Sequence, residues 1–480
     1  MQFRIEEDSL GRRKVPAHAY YGVQTVRAME NFQVTGISIA HFPRQIQALA
    51  VIKKAAALAN QELGLLDDDR AQAIAQACRE TRSGQFDEHF VVDCVQGGAG
   101  TSVNMNANEV ICNRALELLG RERGEYSSCH PNNHVNLSQS TNDVYPTSLK
   151  LAAIWYGKDL IRALRDLARA FADKGEAFRE VIKMGRTQLQ DAVPMTLGQE
   201  FTAYAVTLDE DVSRLEEGLS LLHEINMGAT AIGTGINTDP QYATLVSRIL
   251  ADISGLPVVK SPNLVEATSD TGGFVQFSGV LKRIAVKLSK ICNDLRLLSS
   301  GPRAGLNEIN LPPRQPGSSI MPGKVNPVIP EVVNQICFQV IGNDVTVTMA
   351  AEGGQLQLNV FEPVVALNIF QSLAILHNGC VTLREKCVEG ITANTERCAA
   401  YVDQSTCIVT SLSPALGHET AAHLAQEALR TGKAIRDLVL EQNLLSSEEV
   451  DRLLDPQNMI CPQPIAKERT ASDEETKPAR

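Results

Sequence analysis

Aromatic residues are scarce in this chain: they make up 5% of its 480 residues, with a single Trp. An interior with so few rings must be filled by aliphatic side chains, which suits packed helices. A basic excess is also missing, since 45 Lys and Arg stand against 56 Asp and Glu for a net charge of -11. Proteins that neutralise phosphates need the opposite balance, so nucleic acid is excluded as the main partner. An anionic small molecule would have to be drawn in by local positive potential. No run approaches the roughly 20 apolar residues of a membrane-crossing helix. The first residues, Met1-Gln2-Phe3-Arg4-Ile5-Glu6-Glu7-Asp8, lack the apolar core of a secretory leader. The eleven cysteines show no close pair at metal or redox spacing, and read as small buried thiols in a reducing compartment. These shortages predict a soluble cytoplasmic protein with no membrane and no nucleic-acid partner.

What is present is organised around Gly317-Ser318-Ser319-Ile320-Met321-Pro322-Gly323-Lys324-Val325-Asn326-Pro327. Two glycines permit unusual backbone angles, while Pro316, Pro322, Pro327 and Pro330 remove amide donors. The stretch is therefore a flexible loop that presents two hydroxyls, one ammonium and one amide before a helix. Helix starts favour anions, so the loop is suited to a small negatively charged molecule. Gly/Pro/Ser-rich loops are more often plain connections, and composition alone does not separate the two readings.

Three further clusters share its composition of Ser, Thr, Asn, Gln and Gly. They are Gln96-Gly97-Gly98-Ala99-Gly100-Thr101, His134-Val135-Asn136-Leu137-Ser138-Gln139-Ser140-Thr141-Asn142-Asp143, and Gly185-Arg186-Thr187-Gln188-Leu189-Gln190. The first lacks the strand and Gly-Lys-Ser/Thr of a phosphate loop, so a carboxylate suits it better than a nucleotide. Neutral hydroxyl and amide donors with one lysine can meet the oxygens of a small dicarboxylate at low desolvation cost. Taken singly, each residue could be an ordinary cap or turn. His134, one histidine beside a turn, reads as a structural hydrogen-bonder.

Between the clusters the chain is helical. Ile154, Ile161 and Ala168 recur every seven residues, with Leu164, Phe171 and Phe178 between them. Steps of four and three continue through Phe201, Ala205, Leu208, Val212, Leu215, Leu219 and Leu222, and through Phe277, Leu281, Ile284, Leu288, Ile291, Leu295 and Leu298. That spacing is the seam of long helices packed nearly parallel. The fold class expected is mainly α: a long central helical bundle flanked by smaller N- and C-terminal domains. Residues 1–140 form a mixed, mostly helical N-terminal domain, beginning with an irregular wrap to about residue 45. Residues 141–396 form the bundle, 397–465 a small C-terminal helical domain, and 466–480 a charged disordered tail. Apolar residues outside the seam, as around Val333 to Ala350, predict more than one buried face per helix and hence an oligomer; a single large monomeric bundle is the alternative.

The 317–327 run resembles the signature of the aspartase/fumarase superfamily, and the resemblance extends from Arg4 to about Asn443. Within that superfamily the chain is more similar to the aspartases. The stretches that carry this are Tyr20-Tyr21-Gly22-Val23-Gln24-Thr25, Gly185-Arg186-Thr187-Gln188 and Pro330-Glu331-Val332-Val333-Asn334-Gln335. Fumarases generally carry His where this chain has Gln188, although some aspartases do too. The resemblance implies reversible loss of ammonia from L-aspartate to give fumarate, by proton removal beside the side-chain carboxylate and through an aci-carboxylate intermediate. It implies that Ser318 is the proton acceptor and that Thr101, Ser140, Thr141 and Ser319 hold the reacting carboxylate. Thr187, Lys324 and Asn326 would hold the other carboxylate, and Asn142 and Gln188 would lie near the amino group. It implies a homotetramer in which three subunits build each site, a loop that closes over the substrate, and no organic cofactor or structural metal; divalent-metal activation stays open. Two alternatives stand beside this reading: a class II fumarate hydratase and a catalytically silent structural bundle.

Overall fold

A computed structural model describes residues 2–462. The disordered tail expected over 466–480 lies outside the described residues, as do the last three residues of the expected C-terminal domain. The fold is mainly helical, and the strands among the described residues occur only as two-stranded pairs.

The N-terminus departs from the expected irregular wrap. Strands β1 (Phe3–Asp8) and β2 (Gly11–Pro16) form an antiparallel hairpin. Its turn is made by Gly11 at φ +103° and by Asp8 Oδ1, which accepts the Leu10 N–H at 2.9 Å. Few apolar residues mark these strands because the hairpin is open to solvent: Ile5 is 58% exposed. Helix α1 (Val23–Asn31) follows, then α2 (Pro43–Glu62) and α3 (Asp68–Arg82). Six alanines of α2 are buried around its circumference, so neighbours approach on several sides, α3 and α7 (Tyr242–Ser254) among them. Asp67 caps α3 by accepting the Arg70 N–H at 3.0 Å, and the helix has Asp68 and Asp69 in its first turn and Arg79 and Arg82 in its last, matched to the helix dipole.

Helix α4 (Thr101–Leu118) leads to a π-turn at Pro131–Val135 and then to α5 (Thr141–Ala177). A hairpin of β3 (Ile182–Thr187) and β4 (Gln190–Thr196) precedes α6 (Leu197–Ser220). Short strands β5 (Glu224–Ile225) and β6 (Val259–Lys260) pair in parallel on either side of α7, and α8 (Leu264–Ser269) comes before α9 (Gly272–Leu298). Strand β7 (Ile309–Asn310), α10 (Val328–Glu352) and α11 (Glu362–Lys386) follow. Strand β8 (Thr392–Ala393) then pairs with β7 before the shorter helices α12 (Thr395–Gln404), α13 (Ser413–Leu416), α14 (His418–Thr431), α15 (Ile435–Glu441) and α16 (Ser447–Leu454).

Every residue of the seven-residue pattern is buried, from Ile154 to Phe178, from Phe201 to Leu222 and from Phe277 to Leu298. By packing, the chain divides into two compact units: residues 1–165, 209–289 and 333–380, and residues 166–208, 290–332 and 381 onward. In the first, polar pins join the long helices. Ser278 and Lys282 on α9 bond the buried Asp344 of α10 at 2.9 and 2.6 Å, and Asn343 of α10 reaches Ser372 of α11 at 3.0 Å. In the second, the rings of Phe171, Phe178, Phe201 and Tyr204 interlock with centroids 5.3–6.0 Å apart. There too, Leu412, Leu424, Leu438, Val439 and Val450 close a separate small core under α14–α16.

One expectation needs correcting. The stretch Glu362–Gly390, 29 residues, is long and apolar enough to cross a membrane by length and composition alone. Half of its apolar window is buried within the protein, and its Ser372 hydroxyl is bonded to Asn343. That is the behaviour of a core helix. Its apolar length escapes notice in the sequence because Asn368, Gln371, Ser372 and Asn378 interrupt it.

Candidate active site

The sequence-predicted residues fall into groups, each described within its own unit. In the first unit, Gly98, Ala99 and Gly100 adopt φ of +96°, +53° and +87°, turning the chain sharply into α4. A Cβ on Gly100 would sit 2.3 Å from the buried ring of Tyr145 on α5, so only glycine lets these segments meet. Thr101 is exposed, and its hydroxyl is donated back to Gly98 O at 2.7 Å.

Ser140, Thr141 and Asn142 start α5. Thr141 Oγ1 accepts an N–H from Asn104 Nδ2 at 3.0 Å, and Ser140 Oγ accepts the Asn142 amide N–H at 3.2 Å. Each hydroxyl accepts one bond and keeps a proton that it can donate. Behind them lies a buried polar lattice. Asn136 Oδ1 accepts from Lys53 Nζ at 2.8 Å, Asn108 at 3.0 Å and Asn104 at 3.2 Å, and Lys53 also reaches Gln139 Oε1 at 2.9 Å. Burial pushes the Lys53 ammonium down to about 7 and the Asp143 carboxyl up to about 7. His134 is structural, as its Nδ1 accepts the His130 amide N–H at 2.8 Å and closes the π-turn.

In the second unit, Thr187 pairs with Gln190, leaving Gln188 and Leu189 as a two-residue turn. Both have positive φ, +54° and +62°, the geometry that usually selects Asn-Gly. Exposed side chains at such a strained tip are a mark of functional sites. The hairpin is anchored by Glu308, which is 0% exposed and contacts Lys183 at 2.9 Å and Arg186 at 2.7 Å, without a well-aligned hydrogen bond from either. Ser405 Oγ, donating to Asp191 Oδ2 at 2.8 Å, fastens the other strand.

The Ser318 loop is closed on itself. Gly317 N–H donates to Lys324 O at 2.7 Å, and Asn326 Nδ2 donates to Gly317 O at 2.8 Å. Gly323 turns the loop at φ +81°. Inside it, Ser318 Oγ accepts the amide N–H groups of Ile320 and Met321 at 3.2 and 3.0 Å. Two aligned amides are what would stabilise that oxygen as an anion. Ser319 and Lys324 are exposed, and among the described residues the Lys324 ammonium has no carboxylate partner. The loop lines a cavity of about 440 Å³. No group of three or more His, Cys, Asp and Glu gathers as a metal site among the described residues.

Sequence reasoning missed Asp143, Lys53 and Glu308, as well as the loop following β5. The glycines of that loop, at 228, 233 and 235, were the available signal.

The long-helix fold is that of a lyase-type enzyme. The chain belongs to the aspartase/fumarase superfamily: the lyase family model matches residues 11–342, and that of the fumarase C C-terminus matches 408–461. Among its relatives, an aspartate ammonia-lyase of Pseudomonas canavaninivorans is 59% identical over 96% of this chain and 97% of that protein. One of Escherichia coli is 54% identical over 98% and 99%. Of solved structures, a Brucella melitensis protein described as fumarate lyase:delta crystallin, bound to cobalt, superposes with a TM-score of 0.94. It is 55% identical, with 96% of this chain and 100% of that one covered. A class II fumarase from Schistosoma mansoni gives 0.92 at 37% identity, over 95% and 99%.

Proposed function

We propose that the chain converts L-aspartate reversibly to fumarate and ammonia. The observation that carries this is the Ser318 loop, where one hydroxyl oxygen receives two amide N–H groups and lines the same cavity as Lys324, whose ammonium has no carboxylate partner among the described residues. Ionised Ser318 takes a proton from the carbon next to the side-chain carboxylate. The electron pair moves into that carboxylate, giving an aci-carboxylate dianion, and its collapse to the double bond expels ammonia. Such an intermediate forms only where fixed donors meet its charge. Ser140 and Thr141, with Ser319 and Thr101, supply donors for the reacting carboxylate. Thr187, Lys324 and Asn326 hold the other carboxylate, and Asn142 and Gln188 face the departing nitrogen. Thr101 must turn its hydroxyl away from Gly98 to take part.

Identities of 54–59% to full-length aspartate ammonia-lyases support this reading over a fumarate hydratase. Hydroxide is also a poor leaving group that wants an acid, and Gln188 carries no titrating proton. The reaction as written needs no organic cofactor. A homotetramer with sites shared between subunits is part of the proposal. Its support is an apolar face on α10, where Phe338, Val345 and Met349 are 61%, 56% and 68% exposed. Such a stripe on a long helix is suited to burial against another copy. A cytoplasmic location is part of the proposal and agrees with cysteines that are mostly small buried thiols.

The test is fumarate absorbance on mixing the purified protein with L-aspartate, beside a parallel sample given L-malate. A rise with aspartate alone is expected. A rise with malate alone moves the chain to the hydratases, and silence in both removes the reaction.

A further inference from the structure

Asn142 occupies the first turn of α5, and its surroundings dictate which end of its amide faces outward. Its side-chain Nδ2 donates to Ala231 O at 2.7 Å, which turns Oδ1, an acceptor, away from that carbonyl. Its backbone carbonyl would ordinarily accept the N–H four residues on, but that residue is Pro146, which has none. Asn226 Nδ2 takes its place at 2.9 Å, and the same Nδ2 also lies 3.3 Å from Thr268 Oγ1. The next residue, Asp143, is fully buried and accepts Ser140 N–H on one oxygen at 2.9 Å. Its other oxygen accepts the N–H groups of Gly228 and Thr230 at 3.1 and 3.2 Å.

The loop that carries Ala231 is itself held tightly. Thr230 sits at φ +55°, a conformation a β-branched residue adopts only under constraint. A Cβ on Gly228 would lie 2.5 Å from Ala243 on α7, and one on Gly233 would lie 2.3 Å from the Val265 backbone on α8. The loop thus packs against two helices, and its carbonyls stand at fixed points.

We propose that Asp143 and Asn226 are positioning residues for the amino group: they pin the 226–231 loop so that Ala231 O orients the Asn142 amide and its Oδ1 faces the nitrogen of aspartate. A carbonyl oxygen accepts from an ammonium and offers nothing to a carboxylate, so the device distinguishes the nitrogen end of the substrate from its two acid ends. This rests on the proposed deamination.

The experiment runs the reaction toward amination and measures KM for ammonium and KM for fumarate separately. Asp143→Asn keeps an oxygen for Ser140 N–H but turns an NH₂ toward Gly228 and Thr230, releasing the loop. KM for ammonium should rise about tenfold, as for one charge-assisted hydrogen bond lost, with KM for fumarate changed less than about twofold. Asn226→Ala, which leaves Asp143 in place, should shift ammonium in the same sense and carries the test if Asp143→Asn does not fold. In an Asn142→Ala background neither change should raise KM for ammonium further, because both act through Asn142. Parallel rises in both KM values, or effects that add to those of Asn142→Ala, would overturn the assignment. A wild-type protein that forms malate from fumarate but takes up no ammonia overturns the proposed reaction, and this role with it.

Discussion

At the scale of single residues, the chemistry depends on what each polar atom is already bonded to. In the proposed reaction Ser318 is poised because two amides point at its oxygen. Ser318→Ala should therefore keep the assembly and lower kcat about 10³-fold, the usual contribution of a positioned base; near-normal turnover in a fumarate assay would remove it from the role. Glu109 is a different case. It accepts the N–H groups of Gly22, Gln24 and Thr25 and the Thr25 hydroxyl, yet burial still pushes its carboxyl from 4.5 up to about 7. A folded-state pKa above the unfolded one means the folded state binds more protons, so this group's contribution is full below pH 4.5 and lost as pH rises through about 7. Over that window the loss is about 3 kcal/mol. Denaturant titrations at several pH values should show Glu109→Gln with a flatter decline than wild type between pH 4.5 and 7. Parallel curves would mean that the carboxyl is not perturbed.

Among elements, close approaches set where the site loops go. The turn into α4 meets α5 only because residue 100 has no Cβ. Gly100→Ala should cost about 2–4 kcal/mol through overpacking and φ strain combined, lowering the thermal midpoint and raising KM for aspartate together. A lower midpoint with unchanged KM would detach this turn from the carboxylate-binding groups. The β3–β4 tip shows the opposite economy. Two ordinary residues are forced into a left-handed turn, and the Lys183–Glu308–Arg186 cluster holds the strands that make this possible.

For the whole molecule, a net charge of -11 gives an anionic substrate no general attraction, so in the proposed site its capture is left to local groups such as Lys324. The proposed assembly would rest on the exposed apolar face of α10. Phe338→Glu combined with Met349→Glu places charge on that face, and sedimentation should show species smaller than the wild-type assembly, with activity falling in step. An unchanged assembly would locate the subunit contacts elsewhere.

The sequence by itself determined the long helices, because a seven-residue apolar spacing can be buried in few other ways, and every residue of the pattern is inside. It also marked the Ser318 loop, since glycine and proline leave so few regular conformations open. The N-terminal hairpin was not legible, because strands open to solvent need no apolar alternation, and Phe3 is 52% exposed. Only the tertiary structure decided the roles of Asp143, Lys53 and Glu308. A charge in a polar run reads as solvated, and nothing local reveals that distant amides from residues 228 and 230, or the side chains of Lys183 and Arg186, will converge on it. The orientation of the Asn142 amide was likewise set by a carbonyl 89 residues away.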